Sequence, residues 1–425
     1  MRSFCSGINK KVKARTEIFK GKSTPKQLGN ISPFEEQIYT TRPILPPLDT
    51  LSEKFKPVWQ SKWLTNHGEM HNNLEKKLQD VLKSYYVSLF NNGTTALLIA
   101  LKALGLPQGS EVITTPFTFP ATAHCIAWNG LKPVFCDIEP DTMTIDADKI
   151  ERLIHKNTSA ILGVHVYGFP CNTEKIRELA DRYGLKVIYD AAHAFTTEID
   201  GKGIGTFGDI SMFSFHATKL FHTVEGGCLT YNNPDYRQKI YYLRNFGIKN
   251  EEEVIDIGIN GKMNELQAVL GLLNLELFEE EKKKRRIIKS VYIEQLNNLD
   301  GITIPQMPEN STDSLQYFVI KINKESFGLS RNEVYEKLKD YNVFARKYFY
   351  PLCSDYESYK ALPAFQKSNL PVANKIKNEV LCLPFYGDLG TDSILKICRI
   401  IRFLKQGGHK PPQKRESGMK VIEHL

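Results

Sequence analysis

The sequence predicts an α/β protein: a mostly parallel, helix-covered sheet, followed by a smaller α+β region at the C-terminal end. Three observations carry that expectation. Short apolar runs alternate with helix-patterned segments from about Asn72 onward, the signature of βαβ units. A glycine turn, Asn91-Asn-Gly93, joins one such run to an Ala- and Leu-rich helix. The chain is 425 residues long, 41% apolar and 24% charged, which is enough for a large core and for two domains.

Residues 1–40 lack apolar periodicity and predict a disordered basic extension. Residues 41–260 predict a large ligand-binding domain, residues 261–405 a long helix and a small C-terminal domain, and residues 406–425 a disordered tail. Pro43, Pro46, Pro47 and Pro57 punctuate an entry segment that ends in Trp59-Gln-Ser-Lys-Trp-Leu64. From about Asn72 the pattern settles, with Leu74, Leu78, Val81 and Leu82 at helical spacing. Tyr85–Phe90 predicts a buried strand and Thr94–Leu104 a helix. Glu111–Thr115, Lys132–Ile138, Ala160–Val166 and Lys186–Asp190 predict strands, with helices at Pro120–Trp128, Ala147–Ile154 and Thr173–Tyr183 between them. Ile210–Phe215 and Cys228–Tyr231 are strand-like, and Pro234–Leu243 is helical. An irregular segment runs to Met263, and a long helix follows from Asn264 to about Asn298, with a solvated charge run at Glu279–Arg286. A strand at Leu315–Ile322 and helices at Arg331–Tyr341 and Ser393–Leu404 complete the smaller region.

The net charge of +8 sits at the ends. Residues 1–30 carry eight Lys or Arg against Glu17, and residues 405–425 carry five against two acids, which leaves residues 31–404 near −2. That balance excludes a basic nucleic-acid binder in the globular part. No apolar run approaches the roughly 18 residues of a membrane helix, and the basic N-terminus lacks the apolar core of a secretory signal. Eight scattered cysteines form no Cys-x-x-Cys pair, so a reducing cytoplasm is expected and no metal site. Gly203, Gly205 and Gly208 match Gly-x-Gly-x-x-Gly, but strand-like runs flank them on both sides. A dinucleotide fingerprint needs a helix after it, so these glycines predict a hairpin or tight loop.

The chemistry gathers around Phe213-Ser-Phe-His-Ala-Thr-Lys219 and Glu225-Gly-Gly227. Lys219 lies between two strand-like runs, where an unpartnered ammonium is costly. Asp190 closes the apolar run Lys186-Val-Ile-Tyr-Asp190. The turn at Gly93, Thr94 and Thr95 offers unpaired backbone N–H groups at the positive end of a helix dipole, a ready phosphate cradle. In parallel sheets ligands gather at the carboxyl ends of strands, where Asp190 and the Gly93 turn both fall. An amine nucleophile, a buried carboxylate and a phosphate cradle are the fixtures of a pyridoxal phosphate site.

Asn92-Gly-Thr-Thr-Ala-Leu97, Thr115-Pro-Phe-Thr-Phe-Pro-Ala-Thr122, Asp190-Ala-Ala-His-Ala194, Gly205-Thr-Phe-Gly-Asp209, Ser214-Phe-His-Ala-Thr-Lys219 and Glu225-Gly-Gly227 occur in that order. Together they resemble the DegT/DnrJ/EryC1/StrS family of sugar-nucleotide aminotransferases over about residues 41–405. Ser-Lys-Trp-Leu-Thr-Asn66, Arg346-Lys-Tyr-Phe-Tyr-Pro-Leu352 and Leu381-Cys-Leu-Pro-Phe385 are similar to members that aminate C4 of TDP-4-oxo-6-deoxyglucose. The resemblance implies the fold-type I transferase architecture, pyridoxal 5′-phosphate, glutamate as donor, a keto-sugar nucleotide as acceptor, and a role in surface polysaccharide or O-antigen synthesis. Lys219 would attach the cofactor and shuttle the donor's Cα proton. Asp190 would pair with the pyridine nitrogen, and His193 would support the ring or its oxygen. Phe119 would stack on the ring, and Gly93, Thr94 and Ser214 would hold the phosphate. The family's sites lie between two subunits of a homodimer, and Asn260-Gly-Lys-Met263 is similar to the stretch that reaches the neighbour's phosphate. Lys262 stands where many relatives have Arg, and keeps the charge without the bidentate fork.

Amination of a 3-oxo sugar nucleotide is an alternative. A dehydratase or deoxygenase of the family carries His in place of the lysine, so Lys219 argues against that class; His216 and His222 do not align with that position. A non-catalytic sensor on the same fold is opposed by the intact Lys219–Asp190 pair.

Overall fold

The computed structural model describes residues 31–360 and 369–408. The described chain opens with a two-residue strand, β1 (Ile38–Tyr39), and two helices, α1 (Leu48–Ser61) and α2 (Glu69–Leu82). Strands and helices then alternate through β2 (Tyr86–Phe90), α3 (Gly93–Leu104), β3 (Glu111–Thr114), α4 (Pro120–Trp128), β4 (Lys132–Phe135), β5 (Thr158–Val164), α5 (Thr173–Tyr183) and β6 (Lys186–Asp190). A hairpin of β7 (Glu198–Ile199) and β8 (Lys202–Gly203) leads into β9 (Ile210–Ser214), β10 (Gly227–Tyr231) and α6 (Asp235–Leu243). The three glycines of the false fingerprint begin in that hairpin, as their flanks predict.

Seven strands form the central sheet in the order β2-β10-β9-β6-β5-β3-β4. Neighbours run parallel except at β10, which is antiparallel to both β2 and β9. Alternation along β6 shows why the sheet needs cover on both faces. Ile188 joins one buried cluster with Leu97 and Leu101 of α3, whereas Val187 and Tyr189 join another with Ile176 and Leu179 of α5. The carboxyl ends of β2, β3, β5, β6 and β9 and the start of β10 consequently share one edge of the sheet.

The C-terminal region holds α7 (Glu265–Leu296), β11 (Ile302–Thr303), β12 (Phe318–Ile322), α8 (Arg331–Lys339), β13 (Val343–Phe344), β14 (Val380–Leu383) and α9 (Gly390–Lys405). β11, β12 and β14 make an antiparallel sheet. One apolar cluster runs from Leu74 and Leu78 of α2 through Val269, Leu273 and Tyr292 of α7 to Ile320 and Ile401. The long helix is therefore the beam on which both regions pack.

Four expectations are corrected. The charge run Glu279–Arg286, expected to be solvated, buries Glu281, Lys282 and Arg285, because Arg285 pairs with Glu281 and donates to Leu315 O of the C-terminal region. Residues 31–40, expected within the disordered extension, are ordered against the C-terminal region. Ile31 is buried, β1 pairs in parallel with β13, and Phe34 N–H donates to Tyr341 O at 3.1 Å. The partner lies some 300 residues away, so no local periodicity announces it. The proline-punctuated entry segment is largely the helix α1. Pro47 stands at its start, where a missing N–H loses nothing, and Leu51, Phe55 and Val58 form its inner stripe. Leu315–Ile322 is a strand only from Phe318, because Leu315 adopts a left-handed φ of 59°. Residues 1–30 of the extension and 409–425 of the tail lie outside the described residues. Among the described residues no helix is long and apolar enough to cross a membrane.

Candidate active site

Five of these strand ends and the first turn of α3 converge on a cavity of about 500 Å³. Lys219, Asp190, His193, Gly93, Thr94, Phe119 and Ser214 all line it. Asn260 and Lys262 do not. Asn260 bridges Asn245, and Lys262 Nζ donates to Asn245 Oδ1 at 2.5 Å, outside this chain's own cavity.

Asn92 caps α3 by accepting from Thr95 N–H at 2.8 Å, so the earlier amides of that turn have no acceptor inside the helix. Beside that turn the backbone comes close to its neighbours. A Cβ on Gly93 would lie 3.0 Å from Ser214 Cβ, and one on Gly227 would lie 2.8 Å from Gly93 N. Only glycine allows β10 to start this near the helix terminus. The Ser214 hydroxyl takes no hydrogen-bond partner among the described residues.

Asp190 ends β6 and is buried. Its Oδ2 accepts from Thr122 Oγ1 at 2.8 Å and its Oδ1 from Ala192 N–H at 3.1 Å. Burial pushes its acidity toward a higher pKa, against the pull of the Thr122 and Ala192 donors and of Lys219. Burial lowers the Lys219 amine to about 8, with Asp190 acting in the opposite sense. The Lys219 ammonium lies 5.8 Å from the centre of the Tyr317 ring.

His193 is held far below its ordinary pKa, first by burial and then by Lys219. Its Nδ1 accepts from Tyr167 N–H at 3.1 Å, so the neutral ring carries its proton on Nε2. The imidazole stacks on Phe349 at 5.7 Å and meets Tyr317 edge-on at 4.9 Å. Phe119, 56% exposed, stands at the cavity mouth just before α4.

Sequence reasoning missed Thr122 as the partner of Asp190, although Thr118 and Thr122 sit four apart and hydrogen-bond to each other at 2.8 Å. It also missed Tyr317 and Phe349 as cavity walls. Their signal is tertiary, since both come from the C-terminal region.

Residues 49–402 match the DegT/DnrJ/EryC1/StrS aminotransferase family. The chain belongs to that family. It is an aminotransferase, 44% identical over 372 residues to a Shigella dysenteriae protein named dTDP-4-amino-4,6-dideoxy-D-glucose transaminase, covering 88% of this chain and all of the relative. An Escherichia coli protein of the same name is 44% identical over 370 residues, covering 86% and 98%. Among solved structures, this aminotransferase superposes on DesI in the presence of its TDP-sugar product with a TM-score of 0.84 and 33% identity, covering 89% and 95%. Helicobacter pylori PseC, an aminotransferase involved in the biosynthesis of pseudoaminic acid, gives 0.81 at 27% identity, covering 88% and 100%.

Proposed function

We propose that this aminotransferase uses pyridoxal 5′-phosphate to move an amino group from glutamate to TDP-4-oxo-6-deoxy-D-glucose. The product is TDP-4-amino-4,6-dideoxy-D-glucose, a precursor for surface polysaccharide such as O-antigen, made in the cytoplasm. The observation that carries the choice of substrate is the 44% identity, over nearly the whole of both chains, to transaminases named for that product.

The residues present fit the cofactor. The first amides of α3, at Gly93 and Thr94, have no acceptor inside the helix and line the cavity beside the Ser214 hydroxyl, as an anion requires. Gly93, Thr94 and Ser214 would hold the phosphate, and Lys219 would attach the aldehyde carbon. When bound, pyridoxal phosphate supplies the electron sink that makes the donor's Cα–H bond acidic. Lys219 Nζ would remove the proton at that carbon and return one to the sugar's C4 side. Asp190, cut off from solvent, would be stabilised by the cationic ring N–H of the cofactor and would in turn keep that nitrogen protonated. Neutral His193 would offer Nε2–H as a donor, and Phe119 would cover one face of the ring.

The reading includes a homodimer with shared sites. Asn260 and Lys262 stand apart from their own cavity, and Ile255, Ile257 and Ile259 just before them expose 53%, 84% and 41% of their surface, as an uncovered interface would.

The test is incubation of the purified protein with glutamate and a panel of 4-oxo and 3-oxo sugar nucleotides, followed by mass spectrometry and NMR of the products. A 4-amino product from the 4-oxo-6-deoxyglucose nucleotide is expected. Turnover confined to a 3-oxo substrate would replace the reading.

A further inference from the structure

The backbone on either side of Lys219 is held by one side chain from the C-terminal region. Gln316, 3% exposed, accepts from Leu220 N–H through Oε1 at 2.7 Å and donates from Nε2 to Thr218 O at 3.1 Å. The amide thus satisfies the carbonyl before the lysine and the N–H after it. A third bond, from Lys219 N–H to His216 O at 2.8 Å, closes the turn. Matching that pair needs a neutral group with one donor and one acceptor; a carboxylate cannot donate and an ammonium cannot accept.

Gln316 is itself braced. Its N–H donates to Ser314 Oγ at 3.3 Å, and the preceding Leu315 O accepts from Arg285 Nη1 at 3.0 Å. Arg285 is buried in α7 and paired with Glu281 at 2.7 Å. The next residue, Tyr317, brings its ring beside Lys219 Nζ. One strand entrance therefore sets both the backbone and the surroundings of the amine.

We infer that Gln316 is a positioning residue for Lys219: it acts through Thr218 and Leu220 to aim the amine, without touching cofactor or substrate. The inference rests on Lys219 being the attachment residue proposed above.

Gln316→Met keeps length and bulk but removes both hydrogen bonds, whereas Gln316→Glu keeps the acceptor for Leu220 N–H and loses the donor. The full-length protein, stripped of cofactor, is offered two probes. Pyridoxamine phosphate, which has no aldehyde, reports the phosphate cradle and ring pocket; pyridoxal phosphate reports capture by the lysine. Gln316→Met is expected to bind pyridoxamine phosphate within about twofold of the native chain, yet to capture pyridoxal phosphate about tenfold more slowly. In the reconstituted enzyme kcat should fall about tenfold while KM for glutamate stays within about threefold. Gln316→Glu should fall between.

Native capture by a folded Gln316→Met protein would overturn the inference. Equal loss of both probes with a lower melting temperature would also overturn it, because Gln316 would then be general scaffold. If the Met variant does not fold, the Glu variant decides: native capture rejects the proposal and slowed capture supports it. Borohydride reduction and peptide mapping of the native chain separate the two levels. An adduct on another lysine overturns the cofactor reading and this inference with it, whereas an adduct on Lys219 with native capture by the variants overturns this inference alone.

Discussion

In its proposed role Lys219 would act as a nucleophile only as the free amine. An ordinary lysine amine near 10.5, lowered by burial to about 8, raises the free fraction at pH 7.5 from about 0.1% to about a quarter. Capture of pyridoxal phosphate by cofactor-free protein should therefore rise with pH through a midpoint near 8 and level off about one unit above it. A midpoint near 10 would mean that the amine is not desolvated. Asp190 has a different task. Asp190→Asn keeps the shape that Thr122 and Ala192 N–H recognise but removes the charge proposed to face the ring nitrogen. A loss in kcat of about 10²-fold is expected, on the scale of removing one preorganised electrostatic partner. Near-normal turnover would dismiss Asp190 from that role.

At the scale of elements, the site depends on helix ends tied to distant parts of the chain. α2 starts at Gly68, which has no side chain to cap it. Glu265, in the first turn of α7, supplies the cap: its carboxylate accepts from Met70 N–H at 2.8 Å and His71 N–H at 3.0 Å. α2 itself carries Glu75, which accepts from Leu89 N–H at 3.0 Å and from Arg244 at 2.9 Å, and so pins β2 just before the Gly93 turn. Glu265→Ala leaves two buried N–H groups without partners. Stability should fall by about 1–2 kcal/mol, the range for loss of a helix cap, read as a lower urea midpoint. An unchanged midpoint would show that the carboxylate is dispensable there.

For the whole molecule, truncation of the basic N-terminal segment and mixing of subunit variants are the informative experiments. Residues 1–30 carry seven net positive charges and few large apolar groups. Their removal should leave melting temperature and Michaelis parameters unchanged while altering solubility. Removal of residues 1–41 should lower the melting temperature, because β1, the buried Ile31 and the Lys396 contact to Pro33 O go with it. Subunit sharing is tested by mixing Lys219→Ala protein with a variant disabled at Asn260 and Lys262. One hybrid site would be whole, so partial activity should return; no rescue in mixtures shown to exchange subunits would count against a shared site.

The sequence by itself determined the alternating α/β pattern, the long helix and the order of the site motifs. Each is written in short-range terms. The period of apolar residues distinguishes strand from helix, and Asn92 followed by Gly93 announces a capped turn. Asp190 and the Gly93 turn could be placed at one sheet edge because parallel strands share a direction. Only the tertiary structure decided what surrounds the lysine. Thr122 reaches Asp190 across 68 positions, Gln316 reaches Leu220 across 96, and Glu265 caps α2 across 194. Such contacts have no period and no local composition to betray them. A polar side chain takes its partner from whichever segment the packing of apolar faces brings alongside, and that packing is a property of the assembled core.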